Sequence, residues 1–279
     1  MDNIGQALAW AKRVLENAGI QDAGRSAHVL LKFVLQCSDS KIYAHQEDAM
    51  TSKQQKYFAE LIERRAKHEP VAYLVGSKEF MELHFFVTPS VLIPRPETEI
   101  LIEQIEILAK SKSIKTLLDV GTGSGIIAIC AKKFFPHLEV GAVDISEDAL
   151  AVAKKNALHH EVDIHWKKSN LFEHVNGVFD CIVSNPPYIA KEVIPTLEKD
   201  VQQEPFLALD GGVAGMDVLQ KLIESARAHL TPRGYLMMEI GHDQRHQVLS
   251  TLEQNGYTDV VFVKDFQGID RIVKANWKG

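Results

Sequence analysis

Residues 117–129 read LLDVGTGSGIIAI, and this stretch decides the fold. An apolar run ends at Asp119-Val120, three glycines follow at alternate positions (Gly121, Gly123 and Gly125), and an apolar helical pattern resumes at Ile126. Glycine at such a turn permits positive φ and lets a ligand come close to the backbone. The local order is strand, tight loop, helix. A dinucleotide loop of the G-x-G-x-x-G type needs a small residue at position 126, where this chain has isoleucine. G-x-G-x-G behind an acidic residue instead suits a ligand with no pyrophosphate. The bland alternative is a packing turn that binds nothing.

Working outward, candidate strands lie at 116–120, 140–144, 164–168, 179–184, 235–240, 259–263 and 269–274. Helical patterns separate the first five, as parallel βαβ units of a doubly wound sheet require. The last two are joined by a short loop, so they should pair antiparallel. The expected fold class is α/β, with a seven-stranded, mostly parallel sheet whose last strand is antiparallel. Upstream, Ile4, Leu8, Ala11, Leu15 and Ala18 make one helical face, with Gly19 suited to its end. Asp22 is expected to cap a second helix carrying Val29, Leu30, Phe33 and Val34. Thr51 is expected to cap a third, with Tyr57, Phe58, Leu61 and Ile62 inward and Pro70 closing it. The expected domains are a small all-α domain over 1–75, a β-hairpin connector over 76–93 and the sheet domain over 94–279.

The 279 residues suffice for one large domain or two unequal ones. Residues 1–90 hold 11 basic and 11 acidic side chains, against 20 and 26 in the remainder, so the net charge of −6 sits in the sheet domain. No basic excess marks a nucleic-acid grip, and no direct nucleic-acid binding is expected. Cys37, Cys130 and Cys181 are scattered, which offers neither a disulfide framework nor a zinc site. His242 and His246 are only two imidazoles, fewer than a metal site needs. No metal is expected. The N-terminal stretch lacks a signal-peptide core, and no apolar run approaches the ~20 residues that span a bilayer. A cytoplasmic protein with no membrane partner is expected. Nothing suggests a coiled coil or an exposed apolar stripe, so a monomer is expected.

Two further motifs carry chemistry. Asp144 closes the candidate strand VGAVD beside the glycine loop, where a carboxylate accepts hydrogen bonds from ribose hydroxyls. Its bland reading is a helix cap, a duty that Ser146 could share. Ser169-Asn170-Leu171-Phe172 follows the next strand and would border the same ligand. The decisive motif is Asn185-Pro186-Pro187-Tyr188, directly after the strand at 179–184. Two prolines stiffen the backbone and remove two donors. The Asn185 side-chain oxygen and the Pro186 carbonyl can each accept one N–H of a planar NH₂ group, while Tyr188 stacks on its flat face. This is a receptor for a conjugated amino nitrogen.

Together, Asp119-x-Gly-x-Gly-x-Gly, the strand-end Asp144 and NPPY resemble the class I methyltransferases that modify amino groups. Further segments narrow the likeness: Arg65, Glu69-Pro70-Val71-Ala72-Tyr73-Leu74-Val75-Gly76, Glu79-Phe80, Pro94-Arg95-Pro96-Glu97-Thr98-Glu99, Glu204-Pro205, Ala208-Leu209, Gly211-Gly212, Glu239-Ile240-Gly241 and Asp270-Arg271. With these the chain resembles the protein-(glutamine-N5) methyltransferases of peptide chain release factors over nearly its whole length. It departs from the family's usual pattern at Met216, at Leu171 and across Asp22-Ala23-Gly24-Arg25.

The resemblance implies a Rossmann-like class I methyltransferase domain and S-adenosylmethionine as cofactor, left as S-adenosylhomocysteine. It also implies release factors as protein substrate, docked with help from the helical front end. Cofactor contacts would fall to Asp119, Gly121, Thr122, Gly123, Ser124, Gly125, Asp144, Asn170, Leu171 and Asn185. Asn185, Pro186 and Tyr188 would be catalytic, and these with Pro187 and Arg95 would hold the substrate. Glu97 and Glu99 are expected to cap the following helix and line the cleft. The competing reading is methylation of an exocyclic base amine in DNA or RNA, which NPPY would fit equally well.

Overall fold

The structure is a computed structural model that describes residues 2–111 and 113–279. The chain forms two compact units, Met1–Ser77 with Glu198–Gln203, and Lys78–Leu197 with Glu204–Gly279.

The first unit is helical: α1 (Ile4–Asn17), α2 (Ala23–Leu35), α3 (Asp39–Ala44), α4 (Ser52–Arg65) and α5 (Val71–Val75). Burial at Ile4, Ala7, Ala11 and Leu15 recurs every three or four residues, so α1 turns one stripe inward. Phe58, Leu61 and Ile62 of α4 complete this core, while Tyr57 stays exposed, unlike the expectation. Thr51 and Gln54 form a reciprocal capping box at the start of α4. Asp22 occupies the cap position of α2 without a side-chain capping bond. Its carboxylate instead accepts from Ser26 Oγ (3.0 Å) and from the buried Arg65 guanidinium (3.2 Å). Arg65 also pairs with Asp200 at 2.6 Å. Leaving a buried guanidinium unpaired costs more than a lost cap, so the charge claims Asp22.

In the second unit, β1 (Ser77–Phe80) and β2 (Leu83–Phe86) form a two-stranded sheet. Met81 and Glu82 between them both take positive φ, as a tight type I′ hairpin turn demands. After α6 (Glu99–Lys110) come β3 (Thr116–Val120), α7 (Ile126–Phe134), β4 (Glu139–Asp144), α8 (Glu147–His159), β5 (His165–Lys168) and β6 (Phe179–Ser184). The chain continues through α9 (Phe206–Leu209), α10 (Asp217–Ala226), β7 (Leu230–Glu239), α11 (Arg245–Gln254), β8 (Tyr257–Lys264) and β9 (Asp270–Trp277). The seven-stranded sheet has order β5-β4-β3-β6-β7-β9-β8, and β9 runs antiparallel to both its neighbours. The mostly parallel sheet with an antiparallel last strand is as expected. β7 begins at Leu230, earlier than its sequence suggests, because Pro232 and Gly234 mask the strand pattern there.

One apolar layer packs α6 and α7 on the sheet through Leu101, Ile105 and Ile129; the other packs α10 and α11 through Leu222, Ile223, Val248 and Leu252. Strand order reverses between β3 and β6, the switch point at whose carboxyl ends open α/β sheets bind ligands. Among the described residues, no helix is long and apolar enough to cross a membrane.

Cys130 and Cys181 are fully buried in this core, and burial pushes both thiols well above their ordinary range. Cys37, in the helical unit, is half-buried. A thiol reagent in excess is therefore expected to modify Cys37 alone in the native protein and all three thiols after denaturation. Rapid native labelling at Cys130 or Cys181, read by peptide mass mapping, would contradict this packing.

Candidate functional site

The glycine loop leaves the end of β3 and enters α7. The Gly121 and Thr122 amides both donate to Val143 O at the end of β4, at 2.9 and 3.0 Å. Gly121, Gly123 and Gly125 all have positive φ, but they serve different ends. A Cβ on Gly125 would lie 3.0 Å from Ile129 Cδ1 and 3.1 Å from Ala153 Cβ, so α7 and α8 demand the third glycine for packing. A Cβ on Gly121 or Gly123 would meet nothing within 4 Å. These two border open space, on the side where a ligand could lie against the backbone.

Asp119 lies beneath the loop, fully buried. Its Oδ2 accepts from Thr122 Oγ1 (2.6 Å) and the Ala128 amide (3.3 Å), whereas Oδ1 has no partner among the described residues. Burial pushes its pKa up to about 7, against the pull of those two donors. The folded state thus holds a proton that the unfolded chain releases near pH 4. Stability should fall as pH rises from about 4 to 7, by at most about 1.4 kcal/mol per pH unit from this group. Asp119→Asn should flatten that slope in melting curves of the ligand-free protein. Parallel slopes for the two proteins would show that Asp119 is ionised throughout.

Asp144 ends β4 and does not cap α8. That role falls to Ser146, whose Oγ accepts from the Ala149 amide at 3.1 Å. Asp144 takes the Ser146 amide on Oδ1 (2.9 Å) and the Gly123 amide on Oδ2 (2.8 Å), which fixes the carboxylate beside the glycine loop. Burial raises its pKa as well. Ser169 N donates to Asp144 O at 2.9 Å and ties the loop after β5 to the same sheet end. In that loop Asn170 is exposed and donates to Glu173, Leu171 sits half-buried at φ 48°, and Phe172 is buried and stacked on His229. The set provides acceptors for hydroxyls, open backbone at two glycines, and a buried carboxyl oxygen with no partner among the described residues. It fits an adenosine-bearing ligand with a charged amino-acid tail.

NPPY begins one residue beyond β6. Ser184 Oγ donates to Val120 O at 2.6 Å and locks the motif against the end of β3. Asn185 Nδ2 donates to Thr98 Oγ1 (3.0 Å), which in turn donates to Glu239 Oε2 (2.6 Å). Tyr188 OH donates to the other oxygen, Glu239 Oε1, at 2.9 Å. Thr98 and Glu239 are buried, and burial raises the pKa of Glu239 and of Tyr188. With its nitrogen held by Thr98, Asn185 keeps Oδ1 as an acceptor beside the rigid Pro186-Pro187 backbone. Gln244 Nε2 donates to Tyr188 O at 2.8 Å and to Gly215 O at 3.1 Å, which clamps the far end of the motif.

The structure gives other expected residues different work. Arg95 pairs with the buried Glu204, whose second oxygen accepts from the Ile93 amide at 2.9 Å. Its guanidinium thus helps to fix the segment before α6. Glu99 accepts from the Met81 amide at 2.9 Å instead of capping α6. Thr98, at the cap position, gives its hydroxyl to Glu239. Thr98, Glu239 and Gln244 were not singled out in the sequence as site residues. Nor was Asn156, which is fully buried in α8 and bonds Ser124 O, Phe86 N and Phe86 O. Thr98 and Glu239 do stand in the motif segments PRPETE and Glu-Ile-Gly, the one signal that could have found them.

Residues 6–76 match the family described as the PrmC N-terminal domain, and residues 96–208 match the methyltransferase small domain. The chain is 37% identical to the release factor glutamine methyltransferase of Geobacter sulfurreducens, over 97% of its own length and 95% of that protein. The enzymes of that name from Koribacter versatilis and Salmonella typhimurium are 39% and 40% identical, over 97% and 89% of this chain and 97% and 90% of theirs. The chain belongs to the release factor glutamine methyltransferase family. Solved structures share the fold: a methyltransferase from Pyrococcus furiosus (TM-score 0.53, 23% identity) spans 82% of this chain and 100% of its own. The hMettl16 catalytic domain (TM-score 0.60, 16% identity) spans 76% and 82%. Both matched regions of this release factor glutamine methyltransferase family member carry residues described above, Arg65 in the first and the glycine loop, Asp144 and NPPY in the second.

Proposed function

We propose that this enzyme transfers a methyl group from S-adenosylmethionine to the side-chain N5 of the glutamine in the Gly-Gly-Gln loop of peptide chain release factors. The observation that carries the reading is the locked Asn185 amide, whose nitrogen is taken by Thr98 so that Oδ1 remains to accept an N–H. Membership in the family supports the substrate, and the glycine loop, Asp119 and Asp144 support the cofactor. The helical unit, matching the PrmC N-terminal domain, would help to dock the release factor.

An amide nitrogen is a weak nucleophile, because its lone pair is delocalised into the carbonyl with a rotation barrier of about 18–20 kcal/mol. The bound cofactor supplies an electrophilic methyl group on a sulfonium. Asn185 Oδ1 and the Pro186 carbonyl would each accept one N–H of the substrate amide and so hold its lone pair toward that methyl. The N–C bond forms as the sulfonium C–S bond breaks to leave the thioether, and one of the two held protons then leaves the nitrogen. Tyr188, anchored through its hydroxyl, holds the flat face of the group. The same two acceptors stabilise the positive charge that develops on nitrogen, so positioning and electrostatics supply most of the rate.

The test is methyl transfer from labelled S-adenosylmethionine to purified release factor, beside a release factor whose loop glutamine is changed to alanine. Label on the unaltered factor alone establishes reaction and target residue together. Label on tRNA, rRNA or DNA, with none on either factor, would overturn the substrate and restore the base-amine reading.

A further inference from the structure

We propose that Glu239 is a positioning residue which, acting through Thr98, fixes the end of the Asn185 amide that faces the substrate. The inference rests on the amide-methylating function proposed above and adds the device that aims its acceptor.

The two ends of an asparagine amide are similar in size and opposite in hydrogen-bonding sense. Only the oxygen can receive an N–H. Steric fit alone would therefore leave Asn185 free to turn over, and a turned amide would present a donor to a donor. The structure removes that freedom through a chain of directed hydrogen bonds. Thr98 Oγ1 carries a single proton, and Glu239, as a carboxylate, offers it an acceptor in Oε2, 2.6 Å away. The hydroxyl is then left with lone pairs, and Asn185 must bring its Nδ2 to them, at 3.0 Å. The other carboxylate oxygen draws the Tyr188 hydroxyl at 2.9 Å, so one carboxylate sets two side chains of NPPY.

Stability alone gives little reason for this arrangement. Glu239 is 1% exposed, and taking a carboxylate out of water costs several kcal/mol that its partners must offset. Glu97 adds a repulsive charge and Arg271 an attractive one. An apolar side chain at this position, opposite the buried Ile272, would pack this core at lower cost. A buried charge with no contact to solvent and with both oxygens aimed at the motif is explained by what it orients.

The test compares Thr98→Val, Thr98→Ser and Glu239→Gln with the parent in methyl transfer to release factor, with cofactor Kd and melting temperature measured in parallel. Valine keeps the shape of threonine but has no hydroxyl, and glutamine has one acceptor oxygen where Glu239 uses two, so it cannot accept from both Thr98 and Tyr188. Both should lower kcat by about a hundredfold, the scale of a misplaced reacting group, while cofactor Kd is unchanged. Thr98→Ser, which restores the hydroxyl, should recover most of the rate. Should Thr98→Val fail to fold, the nearly isosteric Glu239→Gln carries the comparison. A Thr98→Val or Glu239→Gln protein with the parent's kcat would overturn the proposal, and so would a Thr98→Ser protein as slow as Thr98→Val. A parent that labels no release factor at all would instead sink the function proposed above.

Discussion

Replacing Asn185 by alanine should lower the rate of methyl transfer by a factor of about 10²–10³, the usual loss when one preorganised polar contact to a developing charge is removed. The substitution deletes the acceptor for the substrate N–H and leaves Thr98 Oγ1 without its donor. It creates little strain, because Asn185 is half-buried at the rim of the sheet and the prolines after it hold the backbone. The loss should appear in kcat at saturating release factor and cofactor, with the melting temperature close to that of the parent. Single-turnover transfer of labelled methyl separates this step from product release. Near-parental turnover would remove Asn185 from the reaction and with it the lone-pair argument.

Gly215→Ala should be the most destabilising single-methyl change near the site. Gly215 has φ 70°, and a Cβ there would fall 2.1 Å from Tyr188 O, 2.6 Å from Gln244 Nε2 and 2.9 Å from Tyr188 C. Two of these atoms are backbone, held in place because residues 189–191 bond to residues 209–212: Ile189 N to Leu209 O, Gly211 N to Ile189 O and Lys191 N to Gly212 O. Left-handed strain of about 1–2 kcal/mol and an overpacking cost of about 1–3 kcal/mol add to roughly 2–5 kcal/mol. At about 2–4 °C per kcal/mol for a domain of this size, the melting temperature should drop by about 4–20 °C. Activity should fall with it, because the methyl group pushes directly on Tyr188. Gly121→Ala is the control, since nothing lies within 4 Å of its Cβ and only the backbone strain remains. Equal melting of Gly215→Ala and the parent would show that the loop yields freely around Tyr188.

Much of this molecule was legible along the chain, and the reason is physical range. The turn at Gly121-Thr122-Gly123, the alternation of strand and helix, the capping box at Thr51 and the rigidity of Asn185-Pro186-Pro187-Tyr188 are properties of residues a few positions apart. Each is set by local backbone preference, so sequence alone determined the sheet, its mostly parallel sense, and the loop and motif to which ligand and substrate amide are assigned by proposal. Where the sequence misled, a longer-range force won: Asp22 gave up its helix cap to Arg65, 43 residues away, because an unpaired buried guanidinium costs more. The pairing of Arg95 with Glu204 likewise spans 109 residues, because the buried Glu204 carboxylate needs a counter-charge. Only the tertiary structure brought Thr98 to Asn185 and to Glu239, across 87 and 141 residues, and Glu239 to Tyr188 across 51. It alone set Gly215 against the Tyr188 carbonyl. Strand order decides those meetings, and a hydrogen bond's direction is fixed only once its donor and acceptor have met.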